Sequence, residues 1–179
     1  MKIKYVVVGF FLIFLLKAQS QTNLITKKGH LKLFVRIDGQ LVTAESQKLS
    51  VHLDYTNKVM NGTLDLKSLK SEVPELNTFL NSSDQPLQVY FSGVIPRDDF
   101  MSQPHEPLVF NWLVNVTFQN TNFDIVLRTT LEHIEEGSLF SCRLAAMGSI
   151  KAAQVNLNEL IPNITETIEI QFIQFILKT

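Results

Sequence analysis

The chain has 179 residues, 45% of them hydrophobic and 18% charged, with a formal net charge of −1. That length suits one domain with a sizeable core. Its single cysteine, Cys142, excludes an internal disulfide and any metal site built on several thiolates.

The first twenty residues read as an export signal. Met1, Lys2 and Lys4 form a basic start, Tyr5 through Leu16 is an apolar run, and Lys17-Ala18-Gln19-Ser20 follows. These are the parts of a secretory signal peptide, and cleavage is expected after Ser20. The apolar run covers about 18 Å at ~1.5 Å per residue, short of a hydrocarbon core of ~30 Å, so no stable membrane span is expected after cleavage. Gln21 in place of Cys excludes lipid attachment at the new N-terminus. The remaining domain, Gln21 to Thr179, is expected to fold as one unit, and losing three lysines takes its formal charge from −1 to −4. No basic cluster survives, which argues against nucleic acid as a partner. A disulfide-free exported domain must be held by its core, which fits a periplasm better than a harsher space; the expected location is periplasmic or secreted.

Period-two alternation dominates the rest, the mark of strands with one buried face. Leu31, Leu33, Val35 and Ile37 form one such face, ended by an Asp38-Gly39 turn. Leu49, Val51, Leu53 and Tyr55 form the next, and Asn57-Lys58 turns the chain into Met60, Gly62, Leu64 and Leu66. Leu69 to Ser82 reads as a short helix or helical turn whose first turn holds Glu72, Pro74 and Glu75, with Leu76, Phe79 and Leu80 as its apolar side. Its natural position is a lid over one end of a sheet. Leu87, Val89, Phe91 and Gly93 give another strand, and Pro96 to Pro107 reads as a polar loop.

The clearest strand is Leu108 to Phe118. Leu108, Phe110, Trp112, Val114, Val116 and Phe118 share one face, with Val109 and Leu113 the apolar exceptions opposite. Asn120-Thr121-Asn122 is the expected turn into Phe123, Ile125, Leu127, Thr129 and Leu131. Glu135-Glu136-Gly137 is the next expected turn, and Phe140, Cys142, Leu144 and Ala146 form a third inward set. An irregular crossing over 155–164 leads to a last strand from Thr165 to Leu177, rich in Ile and Phe. Seven or eight strands with short turns fit a barrel or a sandwich, which alternation alone does not separate. The lack of edge-protecting devices leans toward closure.

The order of parts resembles the YceI-like family of small periplasmic proteins. The resemblance is carried by the export signal, the paired N-terminal strands, the segment from Ser68-Leu69-Lys70-Ser71 to Phe79-Leu80-Asn81-Ser82 and the strand Gln85-Pro86-Leu87-Gln88-Val89-Tyr90-Phe91-Ser92-Gly93. It continues through the hairpin Val114-Asn115-Val116-Thr117-Phe118 with Phe123-Asp124-Ile125-Val126-Leu127 and the crossing Leu160-Ile161-Pro162. The central turn departs from the family, which usually places glycine there. The resemblance implies an all-β, eight-stranded antiparallel lipocalin-like barrel with one short helix and a polar loop. It also implies an apolar tunnel holding an isoprenoid-type lipid.

The expected ligand-binding residues are Phe91, Phe110, Trp112, Val114, Phe118, Phe123, Leu127, Phe140 and Phe172. Plain core packing is the other reading of the same residues, because eight-stranded barrels are either filled by side chains or hold one small ligand. Trp112 needs a partner for its indole N–H if buried. Cys142 reads as a buried, inert thiol.

Nothing in the sequence marks an enzyme. There is no Gly-x-Ser-x-Gly, no glycine-rich phosphate loop, and Glu135-Glu136 in a turn is simply hydrated. No cofactor and no metal is expected: His30, His52, His105 and His133 are far apart, and Asp98, Asp99, His105 and Glu106 read as a solvated loop. Four sequons, at Asn61, Asn81, Asn115 and Asn163, would matter only in a eukaryotic secretory route. The leading expectation is an exported, non-enzymatic carrier of an apolar isoprenoid- or lipid-type ligand. The alternative is a β-sandwich interaction module with a solid core.

Overall fold

Alternating apolar side chains need a common interior, and here the strands close around one. The computed structural model describes residues 23–82, 86–97, 106–136, 139–155, 157–161 and 163–178. The expected signal segment 1–20 lies outside the described residues, as do Asp98, Asp99 and His105.

The strands are β1 (Asn23–Ile37), β2 (Gln40–Asp54), β3 (Val59–Asp65), β4 (Lys70–Ser71), β5 (Gln88–Val94), β6 (Leu108–Phe118), β7 (Thr121–Glu136), β8 (Leu139–Lys151) and β9 (Thr167–Lys178). Two helices, α1 (Pro74–Ser82) and α2 (Leu157–Leu160), sit in the crossings, with 3-10 turns at Leu66–Ser68 and Ala152–Val155. Around the sheet the order is β1-β9-β8-β7-β6-β5-β3-β2, and β1 pairs with β2 to close the ring. The molecule is thus an eight-stranded antiparallel barrel, with the two-residue β4 beside β2, and the sandwich is not the architecture. Closure removes the exposed edges an open sheet must protect.

Turn chemistry sets the register. Ile37 pairs with Gln40 across Asp38 (φ 51°) and Gly39 (φ 79°), the two positive φ values of a type I′ hairpin turn. Lys58, also at positive φ, turns the chain into β3. The β6–β7 turn is tighter than the sequence implies. Phe118 pairs with Thr121, so the loop is Gln119-Asn120, with Gln119 at φ 52°. Thr121 and Asn122 already belong to β7, because Asn122 faces Thr117 and accepts its hydroxyl hydrogen bond at 2.6 Å.

Other boundaries also move. Glu135 and Glu136 are strand residues, paired with Phe140 and Leu139, rather than turn residues. The helix begins at Pro74, since Lys70–Ser71 pairs with Ala44 and Glu45. Asn77 ties the two segments together: its Oδ1 accepts from Ser71 N and its Nδ2 donates to Ser71 O. Leu66 belongs to a 3-10 turn, where the Asp65 side chain accepts from Lys67 N.

The interior divides into two halves. The start of β1, the end of β9, the β2–β3 turn, the end of β5 and the start of β6 share one pole. There Leu24, Leu53, Met60, Ile95, Trp112, Leu131 and Leu144 are fully buried and fill the barrel. Trp112 lies against Gly93 of the neighbouring β5. A Cβ on Gly93 would come within 2.4 Å of its Nε1 and 2.3 Å of the Leu113 carbonyl oxygen, so only glycine admits the indole there. The expected partner for that N–H is missing: among the described residues nothing bonds it.

This packed pole also holds a polar cluster. The Tyr55 hydroxyl bonds His133 Nε2, and His133 pairs across the sheet with the fully buried Cys142. Burial pushes the Cys142 thiol far above its ordinary 9.0. Burial, and then the Cys142 thiol, push the Tyr55 phenol far above its ordinary 10.0. Both groups stay neutral in the fold where the unfolded chain ionises. Their contribution is complete below the unfolded values and is lost as pH rises past them, by about 1.4 kcal/mol per group per pH unit at most. The melting temperature should therefore fall from about pH 9 upward, and Tyr55→Phe should flatten that fall. A thermal scan across about pH 8–11 that stays level would place both groups in contact with water.

Candidate functional site

At the opposite pole the barrel is hollow. This pole carries the β1–β2 turn, the β6–β7 turn and the two helical crossings. A cavity of about 400 Å³ opens there, within the range of small-molecule sites. Among the described residues thirty line it, of which only Ser82 and Gln119 have polar side chains and none is charged. Such a cavity stays dry, because a water inside it would find too few hydrogen-bond partners.

Strand alternation builds most of the wall. Leu31, Leu33, Val35 and Ile37 from β1 face Ile168, Ile170 and Phe172 from β9. Val114, Val116 and Phe118 from β6 stand beside Phe123, Ile125 and Leu127 from β7, in register as Val114↔Ile125 and Val116↔Phe123. On β2, where Leu49 lines the cavity farther down the strand, the inward positions nearest the mouth are small: Val42, Ala44 and Ser46 are buried, and Ala44 lines the cavity. Large residues there would fill the space.

The two crossings supply the rim. Leu76 and Leu80 of α1 reach the cavity, so the helix occupies the lid position that its sequence implies; the Phe79 side chain lies outside the described residues. Val155, Leu157, Ile161 and Ile164 line it from the β8–β9 crossing. That crossing is clasped to the β1–β2 turn. Asp38 N donates to Asn163 O, Thr165 N donates to Arg36 O, and Asn163 Nδ2 donates to Asp38 Oδ1. Ile37 and Ile164 form an isolated bridge.

Six of the nine expected binding residues meet at this cavity: Phe91, Val114, Phe118, Phe123, Leu127 and Phe172. Phe110 and Trp112 do not line it. They point inward on β6 but lie two inward steps and one inward step deeper than Val114, in the packed half. The Phe140 side chain lies outside the described residues. Sequence reasoning missed the rim from α1 and the 152–164 crossing, which has no long periodic run. It also missed the β1 wall as a site, although Leu31 to Ile37 carried the signal.

Phe91 marks the boundary between the halves. Its ring lines the cavity and meets the Trp112 indole edge-on, with centroids 6.2 Å apart. It rests on its strand partner Gly62, where a Cβ would come within 2.3 Å of Phe91 Cζ. Leu127, the strand partner of Trp112, lines the cavity beside it.

The polar residues elsewhere are surface or structural features. His30 bonds Glu45 at 2.8 Å, and that bond, with Lys32 beside it, lowers the Glu45 carboxyl below its ordinary range. His52 bonds Asn23. Among the described residues no three metal-ligating side chains converge, and no helix is long and apolar enough to cross a membrane.

No family model and no curated protein matches the chain by sequence. Solved structures do match its fold. A polyisoprenoid-binding domain from Saccharophagus degradans, implicated in plant cell wall breakdown, superposes with a TM-score of 0.65 at 14% identity, covering 89% of this chain and 100% of that one. BcnA of Burkholderia cenocepacia superposes with a TM-score of 0.60 at 13% identity, covering 83% of this chain and 96% of that one. At these identities the likeness is one of fold: a closed eight-stranded antiparallel barrel with one short helix.

Proposed function

We propose that this protein is an exported, non-enzymatic carrier that holds an apolar isoprenoid- or lipid-type ligand inside its barrel. The observation that carries the reading is the cavity: about 400 Å³, dry, and lined among the described residues by thirty, of which two have polar side chains. Those thirty offer no nucleophile beside a base and no convergent acids. The barrel likeness to a polyisoprenoid-binding domain supports the same reading. The mechanism is partition. An apolar chain gains about 0.8 kcal/mol for each methylene moved out of water into a preformed dry space, so affinity needs few polar contacts. The export signal at residues 1–20 and a periplasmic or secreted location belong to this proposal.

The direct experiment is organic extraction of protein purified from its own host, followed by mass spectrometry. A stoichiometric apolar molecule in the extract is the expected result. Repeatedly empty extracts, together with no saturable displacement of an apolar fluorophore, would remove the carrier role.

A further inference from the structure

The cavity is a blind pocket, and its depth sets a chain length. This inference rests on the carrier reading and goes further, naming the size and orientation of the ligand. The packed half begins directly beneath Phe91 and Leu127, where Trp112 stands with zero exposure and Met60 and Leu53 fill the space beyond it. Among the described residues Trp112, Met60 and Leu53 have no exposed surface between the cavity and the far pole. The two polar side chains among the described lining residues, Ser82 at the end of α1 and Gln119 in the β6–β7 turn, both stand at the mouth pole. An amphiphile therefore fits in one sense only: tail down onto Phe91, polar head out at the rim.

Two measures of capacity agree. Along β1 the lining runs from Leu31 to Ile37, six steps of about 3.4 Å, or roughly 15 Å of axial depth at a strand tilt of ~40°. An extended carbon chain advances about 1.25 Å per bond, from bonds of ~1.5 Å meeting at ~111°, so about a dozen chain carbons fit. An apolar cavity of ~150 Å³ takes one six-carbon benzene ring, so about 400 Å³ takes roughly sixteen carbons, close to the fifteen of three isoprene units. We infer that the protein selects a single apolar chain of about twelve backbone carbons, which in a prenyl chain is three isoprene units. It inserts tail-first and stops on the Phe91–Trp112 floor. Longer chains bind by the same stretch and leave the excess outside.

Two measurements test this. The first is a displacement titration with prenols of one to eight isoprene units. Affinity should rise on the order of 100-fold per unit up to the third, from the methylenes each unit buries, and then change little. Phe91→Ala should move the plateau outward by about one unit; if that variant does not fold by circular dichroism, Leu127→Ala is the substitute. The second uses Trp112, the only tryptophan in the chain. A nitroxide at the tail end of a twelve-carbon chain should quench its fluorescence strongly, and the same label beside the head should not. Affinity that keeps climbing tenfold per unit beyond the fourth overturns the length limit and leaves the carrier reading intact. Stronger quenching from the head-end label overturns the orientation. No binding by any prenol overturns the carrier reading, and this inference with it.

Discussion

Ala44→Phe should abolish ligand binding while leaving the melting temperature unchanged or raised. Ala44 is 6% exposed and lines the hollow half from β2. The larger side chain adds six carbons that would stand where the ligand stands. Losing the burial of about six ligand carbons at ~0.8 kcal/mol each costs about 5 kcal/mol, on the order of 1,000-fold in affinity. The same ring fills a dry space, which is a common route to a gain of about 0.5–2 kcal/mol in stability. Binding by fluorophore displacement and melting by circular dichroism read the two effects separately. Undiminished binding would mean that the ligand sits elsewhere. Lost binding with a sharply lower melting temperature would mean that the space is already full.

Trp112→Asp should unfold the domain. Trp112 has zero exposure and packs on Gly93 and Phe91. Removing such a ring costs about 3–5 kcal/mol, and an unpaired buried carboxylate adds several more. Together they reach the whole stability of an ordinary domain, about 5–15 kcal/mol. Asn111→Asp, one residue away, should be nearly silent. Asn111 is exposed on the outer face and pairs across the sheet with Arg128, so the new charge meets a favourable partner worth at most about 1 kcal/mol. Equal melting of the two variants would mean that the β6 register is wrong.

That register was legible because β6 carries large apolar residues at every second position. All six expected inward residues from Leu108 to Phe118 are buried, and the two apolar exceptions, Val109 and Leu113, are exposed at 52% and 59%. The Asp38-Gly39 turn was legible for the same local reason, its backbone demand. The Gln119-Asn120 turn was not. Glutamine is an uncommon choice for positive φ, and the asparagines beside it drew the boundary two residues too late.

The division of the barrel into packed and hollow halves could not be read from one strand at a time. It depends on what faces what around the ring. Opposite the large β6 and β7 side chains, β2 places Val42, Ala44 and Ser46 near the mouth but Val51 and Leu53 at the far pole. The weak alternation of Gln40 to Lys48 that hid half of β2 is thus the signature of the cavity. The aromatic residues divide accordingly: Phe110 and Trp112 lie in the packed half, while Phe91, Phe118 and Phe123 line the cavity.

The pairing of Leu24 with Lys178 in the β1–β9 ladder puts the start of the first strand and the finish of the last side by side, at the pole away from the mouth. A tether fused at either terminus would hold the barrel by its base like a cup on a stand. Immobilised that way on a sensor surface or joined to a neighbouring module, the protein would keep its rim facing outward and the cavity mouth unobstructed.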